Sequence, residues 1–232
     1  MVATASETKT RTPLNRERVL ATAVALADRD GVESLSMRRL AGELDVVPMA
    51  LYKHVANKDE LLDGMLDVVV AEIDPPRTGT DWKSAVRERI LSARRALLRH
   101  PWASRVMETR TRPTPTVMAY MDSMIQMFLD GGFSIDLTHH VAHTLGSRLM
   151  GFSQELFNDQ ADEDQPFDPE TIQQLGQAFP SIYRIYLEIS HDDASVVGPG
   201  CDDQFEFEFA LDLILDGIER LKERAEPGSL NA

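Results

Sequence analysis

Apolar residues recur at helical spacing along most of the chain, and the pattern breaks at a few punctuated points. Val19, Leu20, Ala23, Val24, Leu26 and Ala27 form a wide stripe between Asn15, a good N-cap, and Gly31, a helix stop. The stretch Ser36 to His54, SMRRLAGELDVVPMALYKH, then changes scale. Leu40, Ala41 and Leu44 make one short apolar face, Leu51 and Val55 make another, and Asp45 and Val46 lie between them. Two short helices joined by a tight turn fit that spacing, which is a compact helix-turn-helix. Ser36 can cap the first of them, and Pro48 sits where a first helical residue tolerates proline best. Asp45 occupies the turn, where glycine is the easier residue; aspartate is among the few others that accept a left-handed backbone.

Asn57 and Glu60 read as a capping-box-like pair opening the next helix, expected to run to about Ile73. Leu61, Leu62, Met65, Leu66, Val68, Val69 and Ile73 give it enough apolar width for burial on two sides, as a strut requires. Asp74-Pro75-Pro76 and Gly79 break it. Asp81 then caps a helix through Arg99 that Pro101 stops, Thr114-Pro115 open another that ends at Gly131-Gly132, and Ser134 or Asp136 starts a third reaching about Asn158. Between Glu155 and Glu170 lie seven acids and no base, with Pro166 and Pro169, which predicts a solvated loop. A helical pattern returns from Thr171 to Ile189, a loop follows from Ser190 to Cys201, and a last helix spans Asp203 to about Glu223. The last helix carries Phe207, Leu211, Ile214, Leu215, Ile218 and Leu221 with Phe205, Phe209 and Leu213 beside them. One core contact does not need that much apolar width.

Composition narrows the function. The chain has 232 residues, 43% of them apolar, and no apolar run near the roughly 18 residues that span a bilayer. The first dozen residues lack the apolar core of a secretory signal, so a cytoplasmic location is expected. Cys201 is the sole cysteine, which excludes an internal disulfide framework and any multi-cysteine metal site. A net charge of -14 looks hostile to nucleic acid until it is divided. Residues 1 to 60 hold nine basic against nine acidic residues, so the remainder carries the whole excess. Within Ser36 to Lys58 the balance is positive, with Arg38, Arg39, Lys53 and Lys58 against Glu43 and Asp45. Charges beyond about 10 Å are largely screened at 0.1 M salt, so the local field governs docking on phosphates.

The run from Val19 through Gly31, Leu35 to Ala41, Leu51-Tyr52-Lys53-His54-Val55 and Asn57-Lys58-Asp59-Glu60-Leu61-Leu62 resembles the N-terminal domain of the TetR family of repressors. Trp82 to Phe152 is similar to the C-terminal domain of its tetracycline-repressor branch, in the turn Thr111-Arg112-Pro113-Thr114 and in Gly131-Gly132-Phe133-Ser134 before a long helix. The resemblance implies an all-α homodimer that binds a palindromic double-stranded operator and releases it when a small molecule enters the C-terminal domain. Met1 to Pro13, rich in Thr, Ser and Ala and without apolar periodicity, is expected to be a mobile tail (1–13), with a basic arm of Lys9 and Arg11 touching DNA as the alternative; a helix-turn-helix domain (14–60) and a helical effector-binding and dimerisation domain (61–232) follow. The resemblance places Arg38, near the start of the second helix, against base or phosphate, and Tyr52, His54 and Lys58 against phosphates, with Lys53 at a variable position; Ser36, the cap of that helix, is counted with them at the DNA. Pro48, Met49 and Ala50 fall on the base-reading positions. They carry no hydrogen-bonding side chains, so contact with thymine methyls is expected there and Arg38 supplies the polar readout.

Met107, Met121, Met124 and Phe128, with Met118, Met127 and Met150, suit a pocket for a partly apolar effector, although methionine is also ordinary core filler. Arg89, His139, His143 and Ser147 are interspersed polar residues able to orient a ligand. His139 and His143 lie one turn apart, but no convincing third ligand accompanies them, so neither a metal site nor a cofactor is assigned. The tetracycline repressor holds its drug-bound magnesium with a histidine just before the T-R-P turn; Met107 and Glu108 stand near that position here, which argues against that effector. The Asp136 to Gln154 and Asp203 to Glu223 helices are expected to meet their symmetry mates in a four-helix dimer interface, with Gly146, Gly151 and Gly217 permitting close approach. A monomer with a wrapped terminal helix, a DNA-binding dimer without an effector, and a helical enzyme are the competing readings. The sequence contains no nucleophile elbow, phosphate loop or metal-ligand set for the last.

Overall fold

The computed structural model describes residues 13–151, with side chains to 146, positions 174, 176–181, 183 and 184, and residues 203–225. The described elements are all helical: α1 (Arg16–Asp30), a 3-10 turn (Val32–Ser34), α2 (Met37–Glu43), α3 (Pro48–Leu51), α4 (Lys58–Ala71), α5 (Trp82–Arg99), α6 (Trp102–Glu108), α7 (Pro115–Asp130), α8 (Ile135–Gly151) and α9 (Asp203–Ala225). No helix among the described residues is long and apolar enough to cross a membrane. The chain divides into two compact units, Met1–Gly132 and Phe133–Ala232.

Helix boundaries follow local chemistry. The side chains of Asn15, Ser36, Asn57, Asp81 and Thr114 each accept a hydrogen bond from a backbone N–H in the first turn of α1, α2, α4, α5 and α7. Each such bond satisfies an N–H that the helix itself leaves orphaned. Glu60 also reaches back to the Ala56 N–H at 2.7 Å, so the Asn57 and Glu60 pair closes both sides of the α4 entry. At the other end α4 stops at Ala71, two residues earlier than expected, ahead of Asp74-Pro75-Pro76. Gly31 ends α1 at φ 79°.

α1, α4 and α6 share one hydrophobic core. Val19, Leu26, Leu40, Leu51, Val55, Leu61 and Met65 are buried together, and the same cluster continues through Leu66, Val69, Ala96, Trp102, Ala103 and Val106. α4 is its axis, packing on α1 and also on α5, α6 and α7. Gly64 permits the first of these approaches: a Cβ there would lie 2.7 Å from Leu20 Cδ2. α6 is a difference from expectation. Pro101 ends α5 as predicted, yet it also begins a second short helix whose Trp102, Ala103 and Val106 close the core.

Polar groups pin the same axis. His100, buried at the end of α5, meets Asp28 of α1 at 2.8 Å through Nδ1 and Glu72 at the end of α4 at 3.0 Å through Nε2. Trp102 Nε1 donates to the same Asp28 oxygen at 2.7 Å. Lower on α4, Asp59, Asp63 and Asp67 stand at four-residue spacing along one face. Arg110 pairs with the first two, and the Thr114 hydroxyl donates to the third.

In the second unit, Thr138, Val141 and Leu145 form the buried face of α8, and Phe207, Leu211, Leu215 and Ile218 that of α9. Phe209, Leu213 and Leu221 of α9 are exposed, and Lys222 lies 5.6 Å from the Phe133 ring centroid. The tail before Pro13, the acidic run from Glu155 to Glu170, the Ser190 to Cys201 stretch, the end of the α8 pattern beyond Gly151 and most of the Thr171 to Ile189 pattern lie outside the described residues.

Burial alone pushes the Glu72 carboxyl up, but the hydrogen bonds and charges of Arg99 and His100 outweigh it and hold the group below its ordinary 4.5. A carboxyl lowered on folding contributes stability above its unfolded value, and that contribution is lost as pH falls through the lower folded value. Urea unfolding from pH 6 down to pH 3 should therefore lose less stability in Glu72→Gln than in the wild type. Parallel pH profiles would contradict this.

Candidate nucleic-acid interface and effector seam

The helix-turn-helix is held from beneath. Leu40 and Ala41 of α2, Leu44, Leu51 and Val55 are all buried, which leaves the opposite faces of α2 and α3 outward. The turn between them is tied by Asp45 N–H to Gly42 O at 3.2 Å and Val46 N–H to Ala41 O at 2.9 Å, with Asp45 left-handed at φ 54°. α3 is only four residues long. Tyr52, Lys53 and His54 continue it as a turn in which the His54 N–H donates to Leu51 O at 2.8 Å, so the reader presents one helical turn and its extension rather than a long helix.

The residues expected at the DNA lie on or beside α2, on α3 and the turn that extends it, and at the start of α4. Arg38, Pro48, Met49, Tyr52, Lys53 and Lys58 are exposed; Ala50 and His54 are half-buried. Met49 is 71% exposed and its neighbour Val47, which sequence reasoning passed over, is 67% exposed. Ser36 serves as the N-cap of α2, accepting from the Arg39 N–H at 3.2 Å. Burying such apolar surface against DNA is favourable, whereas leaving it in water is not.

The charges around the reader are sorted. Arg39 turns back to Asp30, and Arg29 contacts both Asp30 at 2.9 Å and Glu43 at 3.4 Å. Arg16 faces Glu60 at 3.6 Å, and Arg110 faces Asp59 at 3.1 Å. Acids flanking the surface are thereby neutralised locally. Arg38, one residue from Arg39, has no hydrogen bond or ion pair among the described residues. Its guanidinium is available to a base edge or phosphate.

The expected effector residues divide between the two units. In the first, Arg89 of α5 faces α7: its Nη2 donates to the Ser123 hydroxyl at 3.3 Å, and its guanidinium carbon sits 4.9 Å from the Tyr120 ring centroid. Phe128 is buried and lies 5.9 Å from Trp82 at the other end of the antiparallel pair. Half-buried Met124 falls midway, one turn from Tyr120 and one from Phe128, so the three form a stripe along the seam. Met121 points elsewhere, 52% exposed beside Met118 and Ile125. Met107 packs against the reader core. In the second unit His139 and His143 are exposed with ring centroids 4.6 Å apart, and the Ser147 side chain lies outside the described residues. No group of three or more potential metal ligands occurs among the described residues.

Sequence reasoning missed Tyr120 and Ser123. The four-residue spacing of Tyr120, Met124 and Phe128 was a usable signal, but nothing local announces that Arg89 points at it. Burial lowers Arg89 from the usual arginine value and raises the Tyr120 hydroxyl, the latter against the opposing pull of the guanidinium. Beside the seam, Asp74, Pro75, Arg77, Glu88, Arg89, Leu91 and Arg95 line a recess of about 190 Å³.

Residues 19–65 match the family described as bacterial regulatory proteins, tetR family, and residues 75–221 match the tetracyclin repressor-like C-terminal domain. The transcriptional repressor DrrR1 of Streptomyces coeruleorubidus is 31% identical over 217 residues, covering 90% of this chain and 78% of that protein. An HTH-type transcriptional regulator of Saccharopolyspora erythraea is 36% identical over 128 residues, which is 55% of this chain and about half, 54%, of that protein. Among solved structures, the TetR family protein ActR of Streptomyces coelicolor in complex with (S)-DNPA superposes with a TM-score of 0.66 at 28% identity, covering 91% of this chain and 100% of that one. The chain belongs to the tetR family of bacterial regulatory proteins, and carries a tetracyclin repressor-like C-terminal domain.

Proposed function

We propose that two copies of this chain grip a palindromic operator through Ser36, Arg38, Pro48, Met49, Ala50, Tyr52, Lys53, His54 and Lys58, and that an effector seated against α5 and α7 releases it by tilting α4. The observation that carries the reading is the position of α4, which packs on α1 of the reader and also on α5, α6 and α7. A ligand that favours one setting of α5 to α7 favours one setting of α4, and so one separation of the two readers; differential affinity between two states is all that release requires. Arg89, Met124 and Phe128 are the residues best supported at the ligand, because they line one seam. The dimer forms through the Asp136 to Gln154 and Asp203 to Glu223 helices. The exposed Phe209, Leu213 and Leu221 stripe supports the second of these, and Gly217 on the same stripe has open space where a Cβ would stand. The domain division at residues 13 and 60 belongs to this same reading, with α4 as the joint between reader and body.

A dimer that uses Arg38, Lys53 and Lys58 from each subunit neutralises about six phosphates, so log affinity for operator against log salt should have a slope of about -5. Fluorescence-anisotropy titrations between 50 and 300 mM salt measure it, and a slope near zero rules out DNA binding of this kind.

Two readers related by a two-fold axis enter successive major grooves, which predicts protected half-sites about 34 Å, or a multiple of that, apart. Hydroxyl-radical footprinting of the gene's own upstream region checks the spacing; a footprint without two-fold symmetry contradicts it. With apolar residues at the reading end of α3, Arg38→Ala should relax specificity, raising affinity for non-operator relative to operator duplex by about 1–3 kcal/mol. Equal weakening of all duplexes in the same titration would mean that Arg38 grips phosphate alone.

A further inference from the structure

Resting on the reading of α5 and α7 as the effector seam, we propose that Arg89 anchors an anionic group of the effector. The ligand is then an apolar body that carries a carboxylate, a sulfonate or an ionised phenol. The charge inventory around Arg89 supports this. Three arginines border the recess beside the seam, and two are already matched: Arg77 to Glu88 at 2.6 Å and Arg95 to Asp74 at 2.8 Å. The Asp74 carboxylate also accepts from Ser92 at 2.7 Å. Arg89 is the most buried of the three, at 8% exposure, and its Nε and Nη1 have no hydrogen-bond partner among the described residues. Its direct contacts are the neutral Ser123 hydroxyl and the face of Tyr120, and Asp74, already bonded to Arg95 and Ser92, attracts it without a hydrogen bond.

A buried guanidinium with two unused donors is costly, because it has lost water without gaining an acceptor. The planar fork of Nε and Nη is shaped for two oxygens of one anionic group, and charge-assisted bonds of that kind are among the strongest a protein makes. The stripe of Tyr120, Met124 and Phe128 beside it provides apolar and aromatic surface for the rest of the molecule. An arginine that served only to hold α5 on α7 would have its donors filled by the protein. Here the partner that fills them is supplied from outside, and its arrival neutralises a charge between the two helices that flank α4.

The test uses two fluorescent probes with the same aromatic body, anionic anilinonaphthalene sulfonate and neutral N-phenylnaphthylamine, titrated against the full chain. The wild type should bind the anion about tenfold or more tightly than the neutral probe. Arg89→Met should bring that ratio near one, and Arg89→Lys should keep part of it. Without any probe, Arg89→Met should melt about 2–4 °C higher than the wild type, since it removes a buried charged group whose Nε and Nη1 donors are unfilled. Equal binding of the two probes by the wild type overturns the proposal, as does a ratio unchanged in Arg89→Met or a lower melting temperature for that variant. Gel retention of wild-type protein on upstream duplex separates the two levels: a wild type without anion preference but with retention intact defeats the Arg89 assignment alone, whereas no retention defeats the regulatory reading with it.

Discussion

The reader cannot stand by itself. α2 has seven residues and α3 has four, and isolated helices below about 12 residues are marginal in water even when their sequences favour helix. Their stability comes from five buried positions, Leu40, Ala41, Leu44, Leu51 and Val55, set against α1 and α4. A fully buried leucine contributes about 1.5–3 kcal/mol, so these few contacts outweigh anything the capping serine or the turn supplies. The geometry of the DNA-facing surface is thus a consequence of how α1 and α4 are packed. Whatever moves α4 moves the reader.

The same dependence explains where the charges sit. An acidic chain that binds DNA needs its negative charge spent elsewhere, and here the acids nearest the reader are engaged by Arg16, Arg29, Arg39 and Arg110. Exposed pairs of this sort add little stability. Their effect is on the local field, since they leave Arg38 without an internal competitor. Along α4 the acids have a second role. Asp59, Asp63, Asp67 and Glu72 engage Arg110, Thr114, Arg99 and His100 from the loops and helices around the seam, so changes there reach α4 through polar bonds as well as through packing.

Local chemistry was legible in the sequence, and distant pairing was not. Caps at Asn15, Ser36, Asn57, Asp81 and Thr114 act through backbone N–H groups three residues away, so the residue type and its place before an apolar run announce them. Asp45 in its left-handed turn and the buried stripe of α1 were readable for the same reason. α6 was missed because a seven-residue helix is too short for periodicity to declare it, and because Pro101 reads as a stop although proline also suits a helix start. The Asp28, Glu72, His100 and Trp102 cluster joins residues up to 74 positions apart, and no single-sequence pattern links them. Met107 illustrates the limit in the other direction: its chemistry suited a pocket, and only the fold shows that it packs on the reader core.

If one core runs from the reader through α4 into α6, its parts must open together. Native-state hydrogen exchange measures that directly, residue by residue. The amides of Leu26, Leu40, Leu61, Leu66 and Ala103 should exchange with a common opening free energy and a common dependence on denaturant. Exchange of the α1 and α2 amides through a separate, lower-energy opening while α4 and α6 stay closed would contradict the claim that α4 holds the reader in place.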